Sequence, residues 1–209
     1  MQDILEKMAL KKPVIFLGES LAEQELILPE QNADYPDPHI WFDVSLWQKA
    51  LKAITIRLDS LEVLNSARSS QYLSDLESLH RFTRKEISKI PESRRVLLTA
   101  HDAFSYFGRA YDIEVIGLQG ISTVSEYGLK DVEEMVDLIS SRNIAAVFVE
   151  SSISSRSMEA VVSGVKQKGG DVKIGGTLYS DAPGPAGSGA ETYTEMVRHN
   201  VETIKSALE

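Results

Sequence analysis

From Val96 onward, short unbroken apolar runs alternate with stretches in which apolar residues recur every three or four positions. Val96-Leu97-Leu98-Thr99-Ala100 predicts a strand and Asp102 to Tyr111 a helix. Glu114 to Leu118 predicts a strand, and Leu129 to Arg142 a helix whose apolar face carries Val132, Met135, Val136 and Ile139. Ala145 to Val149 is a third strand, Ser157 to Lys168 a helix stopped by Gly169-Gly170, and Val172 to Ile174 a shorter strand. A Gly/Pro loop from Asp181 to Gly189 then leads into a final helix, Glu191 to Leu208. Apolar runs without polar alternation suit strands buried on both faces. Their alternation with helices predicts a parallel sheet covered by helices.

The first ninety residues are patterned differently. Ile4, Leu5 and Met8 mark a short helix, and Val14-Ile15-Phe16-Leu17-Gly18 has the length and composition of a buried strand. Residues 19 to 40 read as loop, because Pro29, Pro36 and Pro38 exclude a long helix. Asp43 suits the N-cap of a helix with apolar Trp47, Ala50, Leu51, Ile54, Leu58 and Leu61 on one face. After a polar break at Asn65 to Ser70, Tyr72, Leu76, Leu79, Phe82 and Ile87 define a second long helix, ended by Pro91. Its many charged residues fit either a solvated outer face or a rod bridging two lobes.

Composition narrows the classes. The 209 residues are 43% hydrophobic and 25% charged, which is ordinary for a globular chain. Thirty-one acidic against 22 basic side chains leave a net charge of −9, which argues against nucleic acid and against a polybasic membrane-surface helix. Zero cysteines exclude disulfides, thiolate metal sites and cysteine nucleophiles. No run approaches the roughly 20 apolar residues that span a bilayer. Met1 to Lys7 lacks the pattern of a signal peptide, so none is expected in this chain.

Ligands of open parallel sheets bind at the carboxyl ends of the strands. His101 follows one predicted strand directly, Glu150 follows another, and Asp181 lies a few residues beyond a third. His39, in Asp37-Pro38-His39, precedes the helix capped by Asp43. Imidazole and carboxylate are the donors a divalent transition metal takes when thiolates are unavailable. Each residue also has a plainer role open to it: a loop or capping histidine, an Asx-turn at Asp181, or a cap at Glu150. Glu150 could also orient a histidine from behind. His80 and His199 read as surface or packing histidines. Phe104, Tyr106, Phe107 and Tyr111 read as core and lid packing. No nucleophile elbow, phosphate loop or His-Glu-x-x-His motif occurs.

Four segments, in order, carry a resemblance: Asp37-Pro38-His39-Ile40-Trp41-Phe42-Asp43, Thr99-Ala100-His101-Asp102-Ala103-Phe104-Ser105-Tyr106-Phe107, Val147-Phe148-Val149-Glu150-Ser151-Ser152 and Tyr179-Ser180-Asp181. Together they resemble the TroA-like or ZnuA-like solute-binding proteins, the metal receptors of zinc and manganese ABC importers. The resemblance covers essentially the whole chain. It implies a C-clamp of two α/β lobes with parallel sheets joined by a long helix. The implied division is a partial N-terminal lobe at 1–66, a linking helix at 67–91 and a C-terminal α/β lobe at 92–209.

It further implies His39, His101 and Asp181 as metal ligands, with Glu150 behind them. Family members use four ligands, the first from a histidine segment upstream of where this chain begins. The resemblance therefore implies a shortened member with an incomplete N-lobe, and an unpaired edge at Val14 to Gly18. The expected function is extracytoplasmic or periplasmic capture of a divalent transition metal for an ABC importer permease. Membrane contact is expected only through that permease or an absent lipid anchor. Histidine at position 101 tilts the metal toward zinc over manganese, with iron possible. Two other readings are a metal-assisted hydrolase with an open three-ligand site and a folded remnant that binds nothing.

Overall fold

A computed structural model describes residues 2–29, 35–119 and 128–209. The first helix, α1 (Gln2–Ala9), is followed by extended chain and two short 3-10 turns, Gly18–Ser20 and Glu23–Glu25. The expected strand at Val14 to Gly18 does not form. A strand needs a neighbour for its backbone groups, and no strand lies beside this segment among the described residues. The run closes a turn through the Ser20 N–H to Leu17 C=O bond, and its Leu17 side chain packs on the core.

A 3-10 turn at Ile40–Phe42 enters α2 (Val44–Ser60), whose N-cap is Asp43 as expected: Oδ1 accepts the N–H groups of Ser45 and Leu46. Helix α3 (Ser66–Ile87) starts earlier than its apolar stripe suggests. Asn65 caps it by accepting the Arg68 N–H, so the polar stretch after it forms exposed helix rather than a break. At 22 residues, α3 spans about 33 Å. It buries Leu76, Leu79, Thr83 and Ile87 against α2 and the last helix.

Among the described residues, four strands alternate with helices after it: β1 (Val96–His101), α4 (Ser105–Tyr111), β2 (Glu114–Gln119), α5 (Leu129–Arg142), β3 (Ala146–Glu150), α6 (Arg156–Gln167), β4 (Lys173–Leu178) and α7 (Tyr193–Leu208). β1 pairs with β2 and β3 with β4, both in parallel, and β1 and β3 lie side by side. Every residue of β1 and β3 is buried, which is why their sequences lack alternation. Leu97 and Phe148 face a core shared with α3, α4 and α7, whereas Leu98, Val147 and Val149 face α5 and α6. Helices therefore cover both sides of a parallel α/β layer.

β4 runs longer than expected: the register shifts at Gly175, after which Gly176, Thr177 and Leu178 pair with Phe148, Val149 and Glu150. A Cβ at Gly176 would lie 2.4 Å from Thr203 Cγ2, so its absence lets α7 lie directly on the strand. No described helix is long and apolar enough to cross a membrane.

Candidate metal centre

The carboxyl ends of β1, β3 and β4 all open toward one point. His101 is the last residue of β1, and Glu150 the last of β3. Asp181 stands just beyond β4, where Asn200 of α7 fixes the outgoing chain twice. Its Oδ1 accepts the Tyr179 N–H at 2.9 Å, and its Nδ2 donates to the Tyr179 carbonyl at 2.8 Å. His39 comes from the turn before α2. The Asp37 carboxylate accepts the His39 backbone N–H at 2.9 Å, which tightens that turn.

These segments bring His39, His101 and Asp181 together. One donor atom from each falls within 4.8 Å of the others. Asp181 Oδ1 lies 3.7 Å from Nε2 of His39 and 3.8 Å from Nε2 of His101. The two imidazoles meet edge to face with ring centroids 5.6 Å apart. Both histidines are buried, at 4% and 1% exposure, whereas the Asp181 side chain is 41% exposed. His80 and His199 do not join them. The first bonds Tyr111, and the second contacts the Thr177 carbonyl.

Behind each histidine stands a buried carboxylate. His39 Nδ1 is 2.7 Å from Asp37 Oδ1, and His101 Nδ1 is 2.7 Å from Glu150 Oε2. Glu150 Oε1 also accepts the His101 backbone N–H at 3.0 Å. A carboxylate at Nδ1 favours the tautomer with its proton there, leaving the Nε2 lone pair to face Asp181. The contact at Glu150 Oε2 is close but poorly aligned. Among the described residues, neither that oxygen nor Asp37 Oδ2 has an aligned hydrogen-bond partner. Burial pulls the His101 imidazolium pKa down, but Glu150, Asp181 and Asp102 outweigh it and leave the pKa above the ordinary histidine value.

The turn carrying His39 is fastened to the rest of the fold by contacts that the sequence does not reveal. Tyr106 Oη donates to the Asp37 carbonyl at 3.1 Å and accepts the Ile27 N–H at 3.0 Å. Tyr193 Oη donates to the Trp41 carbonyl at 2.7 Å, and Phe42 stacks on Phe104 with centroids 4.2 Å apart. The aromatic residues of α4 are thus core, as expected, but Tyr106 also uses its hydroxyl. Of these, Asp37 alone left a readable signal, an aspartate two residues before a candidate histidine. The tyrosine contacts join residues far apart in the chain.

The chain matches the family described as ZnuA, zinc-uptake complex component A, periplasmic, over residues 1–207. It is 45% identical to the manganese-binding lipoprotein MntA of Bacillus subtilis (strain 168), with all of this chain and 69% of that protein covered. It is 41% identical to the zinc-binding protein TroA of Treponema pallidum (strain Nichols), again over all of this chain and 68% of the relative. The solved structure of the T. pallidum periplasmic zinc-binding protein TroA superposes with a TM-score of 0.92 at 40% identity, covering 99% of this chain and 75% of that one. Fe(III)-bound YtgA of Chlamydia trachomatis superposes with a TM-score of 0.80 at 29% identity, covering 95% and 73%. With its order of elements, its parallel strands and its sequence all agreeing, the chain belongs to the ZnuA family of zinc-uptake components.

Proposed function

We propose that this chain captures one divalent transition-metal ion through His39 Nε2, His101 Nε2 and Asp181 Oδ1, as the solute-binding component of an ABC metal importer. The observation that carries the reading is the convergence of these three donors, with a buried carboxylate at the far nitrogen of each imidazole. Metal-binding histidines characteristically have such a partner. Buried carboxylate oxygens without an aligned donor are costly. A dication among Asp37, Glu150 and Asp181 would offset that cost.

Two imidazoles and one carboxylate suit zinc better than manganese, so zinc is the favoured cargo and iron a further one. The names of relatives span this range: manganese for MntA, zinc for TroA and Fe(III) for the YtgA structure. Extracytoplasmic placement and an importer permease as partner are supported by the periplasmic description of the family and by relatives named as a manganese-binding lipoprotein and a metal ABC transporter substrate-binding lipoprotein. The same reading divides the chain into a partial N-terminal lobe at 1–66, a linking helix at 67–91 and a C-terminal lobe at 92–209. It also casts the protein as a carrier rather than an enzyme. Glu150, the one base a hydrolase would use, is buried, its Oε1 accepting the His101 backbone N–H and its Oε2 lying against that residue's ring.

The test is zinc and manganese titration of metal-stripped protein, followed by thermal melting and metal analysis. A site at 100-fold excess of metal over Kd adds about 2.7 kcal/mol. A saturable shift at one metal per chain, lost in His101→Ala, is expected. No shift with either metal would overturn the reading.

A further inference from the structure

Asp181 is the least secured of the three converging residues. Each histidine is buried and backed by a carboxylate, but the Asp181 side chain is half exposed and, among the described residues, its charge contacts are the two imidazoles. Its position is therefore set by the backbone that carries it. One side chain reaches that backbone from the opposite ligand's own turn. Trp41, two residues after His39, donates its indole N–H to the carbonyl of Ser180 at 3.1 Å. The same indole meets the His39 ring edge to face, with centroids 5.2 Å apart. Ser180 is buried and its hydroxyl shares a 2.8 Å hydrogen bond with Ser152, just past Glu150.

We propose that Trp41 is a positioning residue that latches the Asp181 loop to the His39 turn and thereby sets how long a bound metal stays. The proposal rests on the metal-receptor reading above. The bond spans the gap that a metal would bridge between His39 and Asp181. While it is made, the backbone that carries Asp181 cannot move away from the His39 turn without breaking a part-buried N–H···O=C bond. Loss of metal begins with the most exposed donor, so the latch acts on release more than on capture. Direct attachment to both ligand segments separates Trp41 from Trp47, whose indole packs against Tyr193.

The experiment compares zinc release in Trp47→Phe, which leaves Trp41 as the single indole, with Trp47→Phe/Trp41→Phe. Zinc-loaded protein is mixed with excess chelator in stopped flow, and apo melting temperatures are taken alongside. The double variant is expected to release zinc about tenfold faster, with an unchanged association rate and a nearly unchanged apo melting temperature. Titration of Trp47→Phe is expected to change Trp41 emission and saturate at one zinc per chain. Should phenylalanine prevent folding, benzothienylalanine at position 41 keeps the indole's shape without its N–H and gives the same readout. Release within twofold of Trp47→Phe overturns the latch. Faster release accompanied by an equal loss of apo stability also overturns it, as a merely structural role. A folded Trp47→Phe protein that binds neither zinc nor manganese overturns the receptor reading and the latch together, whereas binding with unchanged release overturns the latch alone.

Discussion

Glu150 grips His101 at two points, its Oε1 on the backbone N–H at 3.0 Å and its Oε2 against Nδ1 at 2.7 Å. One carboxylate therefore holds the strand end by a hydrogen bond and sets a negative charge against the ring. Glu150→Gln retains the shape and loses the charge. Metal affinity should fall about 10- to 100-fold in isothermal titration. His101→Ala should leave no measurable site. Equal affinity in Glu150→Gln and the parent would show that the carboxylate does not tune the histidine.

Protons compete for the same ring. Burial disfavours the charged His101, but Glu150, Asp181 and Asp102 win and hold its pKa above the ordinary value. A metal must displace that proton, so apparent affinity should decline about tenfold per pH unit below the raised pKa and level off above it. The sign is opposite for the metal-free fold. A raised folded-state pKa contributes stability that is complete below the unfolded value, about 6.5, and disappears as pH rises through the folded one. Melting temperatures of the Glu150→Gln protein across pH 5 to 9 should lose this His101 contribution. An identical pH profile would assign the shift elsewhere.

Asn200 anchors the chain entering the Asp181 loop through both polar atoms of its amide. Asn200→Ala leaves the Tyr179 N–H and C=O to find new partners, a loss of about 1–3 kcal/mol in urea unfolding. Zinc affinity should fall with it, because the loop loses its attachment to α7. Full stability in the variant would mean that water replaces the amide without cost.

Leu79 is wholly enclosed within the core that α3 shares with α2 and α7. Leu79→Ala should cost about 2–5 kcal/mol by chemical denaturation. Since the residue touches none of the converging donors, binding should persist at one metal per chain at temperatures where the variant is folded. Loss of binding by a folded variant would tie α3 to the site more closely than its packing indicates.

Much of this architecture was legible because its signals are local. Asp43 ahead of an apolar stripe announced the start of α2, and the unbroken run at Val96 announced a strand buried on both faces. The same rule failed at Val14 to Gly18, because a strand depends on a neighbour that no composition reveals. It also misjudged Ser66 to Ser70, where a capping asparagine turned a polar stretch into exposed helix. His39, His101 and Asp181 stood out by residue type and by their places near element ends. The family resemblance joined them, and the structure brings them within reach of one another. Tyr106, Tyr193 and the indole of Trp41 stayed hidden, since a hydroxyl or N–H bonded to a remote carbonyl leaves no periodicity in the chain.

The three donors come from a turn before α2, the end of β1 and the loop after β4, three widely separated stretches of the polypeptide. An unfolded chain offers no short chelating segment among them, so a metal held by all three would recognise only the finished topology. Bringing such distant segments together requires long loops to close first. Metal added during refolding should thus leave the folding limb of a chevron nearly unmoved and steepen the barrier on the unfolding side. The cargo would then act as a lock turned after assembly, protecting loaded receptors from proteolysis in proportion to their occupancy.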